Sequence, residues 1–295
     1  MLEALQHLAA FHRGHFELPV LGITGSNGKT IVKEWIFQLL QEAFNTVRSP
    51  KSYNSQTGVA LSVWQLQPQH TLGIFEAGIS LPGEMKRLER MIRPTLGIFT
   101  NIGEAHSEGF PDKQDKIQEK LQLFIHCRQL ICSSRQPELL AAARSFVAAH
   151  PQLKLFTWGN ESTDSLLLQS VHKGNGYTRI SAVLQTDAIA QLPAGSPLQL
   201  QIPFTDDASL ENALHSCCAC LLLGLRPATL LEGMEQLRTI EMRLELKKGI
   251  NQCSVINDSY SADLNSLTIA LDFLAQQQQH PLRTVILSDI LQSGK

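Results

Sequence analysis

Residues 22 to 30 read GITGSNGKT, between the apolar run LPVLGI and a segment, VKEWIFQLLQEAF, whose apolar residues recur at helical spacing. The usual phosphate loop, G-x-x-x-x-G-K followed by Ser or Thr, needs a glycine five positions before Gly28, and Ile23 stands there. The chemistry survives the mismatch. A strand ending near Thr24, a turn through Gly25, Ser26, Asn27 and Gly28, and a helix N-terminus together form an anion cradle. Lys29 can reach the outer phosphates of a nucleotide as a point charge, and the Thr30 hydroxyl is placed to hold a bridging Mg2+. The plainer alternative is a glycine turn beside a surface lysine. Strand, glycines, Lys-Thr and helix in that order favour the cradle.

Further along, Glu76 closes the apolar run TLGIFEAG, at the strand end where ligands bind in open parallel sheets. A carboxylate there suits a Mg2+ ligand or a water-orienting group; otherwise it is a solvated acid at a strand end. The next such run ends in TNIGEAHSEGF, which brings Asn101, Glu104 and His106 to the same edge. Mg2+ prefers oxygen donors, so His106 points to a second metal position or to contact with a transferred group, unless it is a surface histidine. In DKQDKIQEKLQLFIH, Lys120 shares a helical stripe with Ile117, Leu121 and Phe124. It either faces a cleft or snorkels to the surface.

The elements that must carry these residues alternate. From residue 19 to about 157, β-type runs each lead into a helical segment, starting at Thr30, Pro82, Asp112 and Pro137, which argues for a parallel sheet covered on both faces. SLLLQSVHKGNGYTRISAVLQ then reads as a hairpin turning at 174 to 176, PLQLQIP as a further strand, and helices follow from near Ser209 and Pro227. After Glu241 come a second hairpin, LELKKGINQCSVIND, a helix, SADLNSLTIALDFLAQQQQ, and a strand, RTVILSD. The expected fold is α/β: a doubly wound parallel-sheet P-loop domain with a small antiparallel β add-on, followed by an incomplete α/β domain. LQSGK comes straight after the last predicted strand, which places the end of the chain inside that domain.

With 295 residues, 43% of them hydrophobic, the chain can bury a large core, and a net charge of −2 suggests no nucleic-acid or anionic-membrane surface. No apolar stretch approaches the roughly 20 residues that span a bilayer, and the N-terminus lacks a signal-peptide layout; the expected location is cytoplasmic. Six cysteines, three of them in CCAC at 217 to 220, do not make a secreted disulfide framework, and neighbouring cysteines on a helix diverge. Core packing accounts for them better than a metal site.

Taken together and in this order, GITGSNGKT, SYNSQTGVALS, IFEAGISLPGEM, TNIGEAHSEGF, EKLQLF and NDSYSAD resemble the Mur ligases of the MurF type, from about residue 19 onward. These ATP-dependent enzymes add D-alanyl-D-alanine to a UDP-MurNAc-tripeptide, and they share the shortened loop. The resemblance implies a helical lead-in at 1–18, a central ATP-binding domain at 19–240 and the start of a C-terminal domain at 241–295, with the UDP-sugar domain absent. It implies that Lys29 contacts the β and γ phosphates, that Thr30 and Glu76 bind a first Mg2+, and that His106 helps bind a second. Lys120 matches a lysine carbamylated by CO2, and a carbamate is an anionic oxygen ligand. Asn54 matches a substrate-side loop, with Asn101 a further substrate residue; Asn212 and Asp258 match contacts to adenine and ribose; Arg243 matches an arginine near the phosphates.

Ser261 and Asp263 replace two asparagines common in that family, and Ala60 stands where a proline is common, which should loosen a turn. Some members are fused to an alanine racemase domain, a potential partner in the full-length protein. The implied reaction forms an acyl phosphate from the peptide carboxylate and ATP, which the amine of D-Ala-D-Ala then attacks. The rivals are a folylpolyglutamate synthase-like ligase, which SLPGEM and HSEGF argue against, and an isolated nucleotide-binding fragment without ligase activity. A P-loop GTPase is disfavoured, because no N-K-x-D base-reading motif occurs.

Overall fold

The computed structural model describes residues 1–103, 109–241, 243–259, 264–277 and 280–287. Strands covered on both faces must be apolar on both faces, and Val20–Thr24 (β1), Leu72–Glu76 (β3) and Leu96–Phe99 (β4) are buried along their whole length. β1 pairs in parallel with β3 on one side and β4 on the other. Thr46–Arg48 (β2) lies outside β3, while Gln129–Ser133 (β5) and Lys154–Gly159 (β6) continue the parallel sheet beyond β4. Leu166–Lys173 (β7) joins β6 in parallel and then forms antiparallel pairs with Thr178–Leu184 (β8), which pairs with Pro197–Ile202 (β9). The antiparallel add-on therefore extends one sheet, in the order β2-β3-β1-β4-β5-β6-β7-β8-β9.

Alternation along β1 divides the core in two. Leu21 and Ile23 face a layer made by Lys29–Leu40 (α2), Asp207–Leu222 (α7) and Pro227–Glu235 (α8). Val20 faces the opposite layer, made by Gln56–Val63 (α3), Glu84–Ile92 (α4), Lys113–Leu121 (α5) and Pro137–Ala148 (α6). Leu2–Arg13 (α1) packs on α3 and α4, and its buried Arg13 donates to the carbonyls of Ile92 and Arg93 at the end of α4. Asp112 and Asp206 cap α5 and α7, each accepting a backbone N–H three residues on, at 2.7 Å. Beyond residue 240 the hairpin of Glu245–Lys248 (β10) and Ser254–Asn257 (β11) precedes Leu264–Gln276 (α9).

Three readings of the sequence change. β2 and α3 have no counterpart in the predicted elements, β2 because three residues show no periodicity. Ala60 is not in a turn: it lies inside α3 and is wholly buried, so its small side chain serves helix packing. Residues 283–287 of RTVILSD form no strand, and Val285, Ile286 and Leu287 stay exposed. An apolar run becomes a strand only where another strand takes its hydrogen bonds, and none does so among the described residues. The cysteines behave as expected: all six are free, and the CCAC trio is buried. Among the described residues, no three His, Cys, Asp or Glu side chains are grouped to hold a metal, and no helix is long and apolar enough to cross a membrane.

His215 on α7 ties the layers together. Its Nδ1 accepts from Trp158 Nε1 at 3.1 Å and its Nε2 donates to the Thr100 carbonyl at 2.9 Å. Burial holds its pKa down at about 4 against 6.5 for a free imidazole. Between those values the unfolded chain binds more protons than the fold, so stability present above pH 6.5 is lost as pH falls toward 4, by up to about 3 kcal/mol. Urea midpoints measured across that window should fall steeply for the native protein and less steeply for His215→Gln; equal slopes would place the pH sensitivity elsewhere.

Candidate functional site

The phosphate loop owes its shape to the exit of β4 and to α7. Gly25 has φ +146°, and any Cβ there would run into Thr100 Oγ1. Asn101 holds the next two amides: its carbonyl accepts from Ser26 N and its Oδ1 from Asn27 N, both at 2.9 Å. Thr100 Oγ1 donates to the Asn27 carbonyl at 2.6 Å, and the Ser26 hydroxyl meets Gly103 N at 2.9 Å. Gly28, at φ +81°, caps α2 in the left-handed region, and a Cβ there would overlap Asn212 Oδ1. The loop is thus clamped on both flanks before any ligand arrives.

Cations gather round it. Lys29 Nζ arches back to donate to the carbonyls of Gly25 and Ser26, both at 2.8 Å. Lys120 is buried, and its Nζ donates to the Gly25 carbonyl at 3.3 Å, so it faces the cleft. Burial first, then the charges of Lys29 and Lys116, hold its pKa well below the usual lysine value. Lys116, one turn earlier on α5 and equally buried, donates to the Gly103 carbonyl at 2.7 Å.

At the end of β3, Glu76 is wholly buried, and its Oε2 accepts from Thr30 Oγ1 at 3.1 Å. Its Oε1 lies 3.0 Å from Lys33 Nζ yet makes no aligned hydrogen bond, so the pair is held by charge and not by a directed bond. Lys33 is also wholly buried. Buried ion pairs contribute little net stability, whereas removing one partner costs about 3–5 kcal/mol.

On the far flank, a cavity of about 230 Å³ is lined by Asn27, Gly28, Asn212, Arg243, Asp258 and Phe273 among others. Arg243 Nη2 donates to Ser52 Oγ at 2.9 Å and to Thr30 Oγ1 at 3.4 Å, and Asp258 Oδ1 accepts from Leu244 N at 3.1 Å. Asn27 Nδ2 donates to Ser266 Oγ of α9 at 2.6 Å. Asn54 lies before α3, where its carbonyl accepts from Gly78 N, two residues past Glu76. The fold therefore brings together Gly25, Ser26, Asn27, Gly28, Lys29, Thr30, Glu76, Asn101, Lys120, Asn212, Arg243 and Asp258, with Asn54 on the Glu76 side. His106, Glu104, Ser261 and Asp263 lie outside the described residues.

The sequence profile of the Mur ligase middle domain matches residues 23–220, more than half of the chain. The chain belongs to that family. It is 27% identical over 99% of its length to a Bacillus subtilis protein named UDP-N-acetylmuramoyl-tripeptide--D-alanyl-D-alanine ligase, and spans 61% of that relative. The Escherichia coli protein of the same name is 24% identical over 99% of the chain, which spans 62% of it. Among solved structures, MurF from Acinetobacter baumannii superposes with a TM-score of 0.81 at 21% identity, over 94% of this chain and 58% of that one, a likeness of fold.

Four polar residues at the site escaped the sequence reading: Lys33, Ser52 and Lys116 within this Mur ligase domain, and Ser266 on α9 beyond the matched residues. Two left a signal. Lys33 falls on the stripe of Ile36 and Leu40, and Lys116 precedes Ile117 and Lys120 on the buried face of α5, so each is a charge at a core position. Ser52 and Ser266 have no such signature, because only long-range packing brings them to Thr30 and Asn27. Gly28→Ala should cost about 1–3 kcal/mol in urea unfolding, through its positive φ and the overlap of the new Cβ with Asn212 Oδ1, and Asn212→Ala in the same protein should recover the overlap part of that loss. Native stability in Gly28→Ala would contradict the left-handed junction.

Proposed function

We propose that this chain is the nucleotide-binding and carboxylate-activating part of a cytoplasmic, ATP-dependent amide ligase that joins D-Ala-D-Ala to a UDP-MurNAc-tripeptide in peptidoglycan precursor synthesis. The chain spans 61% of the Bacillus relative, so activity belongs to the protein at full length. One observation carries the reading: Lys29, Thr30, Glu76 and Lys120 converge on the phosphate loop, with Thr30 Oγ1 3.1 Å from Glu76 Oε2 and Lys120 Nζ 3.3 Å from the Gly25 carbonyl. The proposed division is a lead-in at 1–18, the ATP-binding domain at 19–240 and C-terminal residues from 241.

The amides at the start of α2 and Lys29 would receive the phosphates, Asn212 and Asp258 the base and ribose, and Arg243 the phosphate end of the cavity; Asn54 and Asn101 would face the substrate. The residues present fit Mg2+: Thr30 and Glu76 offer hard oxygen donors, and buried Glu76 Oε1 lacks a hydrogen bond. Thr30 and Glu76 would hold such an ion, which would offset the repulsion between a carboxylate and a triphosphate, and His106, outside the described residues, would help hold a second. Lys120 suits carbamylation on its own evidence. Burial, then the charges of Lys29 and Lys116, lower its pKa and so favour the neutral amine, whose lone pair can bond to the carbon of CO2 with loss of a proton to water, and the same two lysines favour the resulting anion.

Calorimetric titration with a non-hydrolysable ATP analogue and Mg2+ should show binding that Lys29→Ala weakens by at least roughly ten-fold, in line with losing a charge-assisted contact; an unaffected variant would sink the phosphate-loop assignment. With the full-length protein, sustained ADP release over many turnovers should require both the UDP-MurNAc-tripeptide and D-Ala-D-Ala, whereas a pure binding module would release none above background. In 13C-bicarbonate, a carbamate carbon resonance should appear and vanish in Lys120→Ala; its absence from the native protein would remove the carbamylation proposal.

A further inference from the structure

Lys33 is a charged side chain at the site that the phosphate-loop chemistry does not call for. It lies one turn beyond Lys29 on α2, with no exposed surface. Its ammonium donates to the carbonyl of Ser49 at 2.7 Å and to that of Lys51, and it stands 3.0 Å from both Glu34 Oε1 and Glu76 Oε1. Four oxygens therefore surround a group that has three N–H donors. The ammonium's directed bonds go to the two carbonyls, and Glu76 Oε1, which accepts no hydrogen bond, is held by charge alone. The carbonyls matter as much. They fix the segment from Ser49 to Lys51 just before Ser52, whose hydroxyl meets both Thr30 and Arg243. A single ammonium thus joins the helix behind the phosphate loop, the end of β3 and the segment after β2.

We propose that Lys33 is a positioning residue that orients Glu76 from behind, leaves its Oε1 open to a divalent cation, and so couples Mg2+ binding to nucleotide binding. The inference rests on the reading of the loop as a Mg2+-nucleotide site. A lysine that merely filled the core would set thermal stability and leave that coupling alone. Residues that orient a metal ligand without touching the metal typically affect metal affinity by about 10–100-fold.

The test compares the affinity for a non-hydrolysable ATP analogue in saturating Mg2+ with that in EDTA, for the native chain, Lys33→Met, Glu76→Gln and the double variant, alongside thermal melts. The ratio of the two affinities should fall at least roughly ten-fold in Lys33→Met, while the double variant should match Glu76→Gln within about two-fold, because Lys33 acts through that carboxylate. A native ratio in Lys33→Met, or a further fall in the double variant, would overturn the proposal. If Lys33→Met does not fold, the double variant, which leaves no uncompensated buried charge, decides the matter against Glu76→Gln. A native protein with no Mg2+-dependent binding would instead overturn the nucleotide reading, and this inference with it.

Discussion

The site depends on β1 pairing in parallel on both sides at once. With β3 and β4 as its two neighbours, three chain segments leave the sheet at one edge within a few ångströms of each other. The segment after β1 becomes the phosphate loop, β3 ends in Glu76, and the segment after β4 carries Thr100 and Asn101. Without that order the loop would lose the groups that satisfy its amides and carbonyls, and a glycine-rich turn with unpaired backbone would not hold one shape.

Close approach then does the rest. Gly25 presses on Thr100, and Gly28 presses on Asn212, so the ends of two strands and the second turn of α7 share one small volume. The density of cations there is costly by itself. Burial lowers the pKa of Lys120 and repulsion from Lys29 and Lys116 lowers it further; an anionic ligand or a carbamate would relieve that repulsion. The same electrostatics explains why Glu76 and Lys33 are kept as a buried pair despite the small net stability such a pair supplies.

The sheet continues past the site without a break. β7 to β9 reverse direction yet remain in the same sheet, and their inner residues, among them Leu168, Ile180 and Leu200, feed the core that supports α7. His215 on α7 ties that supporting layer to the Thr100 carbonyl. The same helix presents Asn212 Oδ1 to Gly28.

Local patterns were enough to place most elements. Alternation of β-type runs with helical segments, the glycine turn at 174 to 176 and the Asp112 cap each depend on neighbours within a few residues, and so they are legible in the chain. The phosphate loop was legible for the same reason, and the place of Glu76 beside it followed from the rule that strands of one parallel sheet end at one edge. Local patterns failed where a partner was needed: the three-residue β2 exists because β3 accepts its hydrogen bonds, and 283–287 lacks such a partner. Whether Lys120 faced the cleft or the solvent, and the roles of Lys33 and Ser52, were decided only by tertiary structure. A sequence specifies which side chains can carry charge or bond hydrogen, but burial and long-range proximity determine which of them meet.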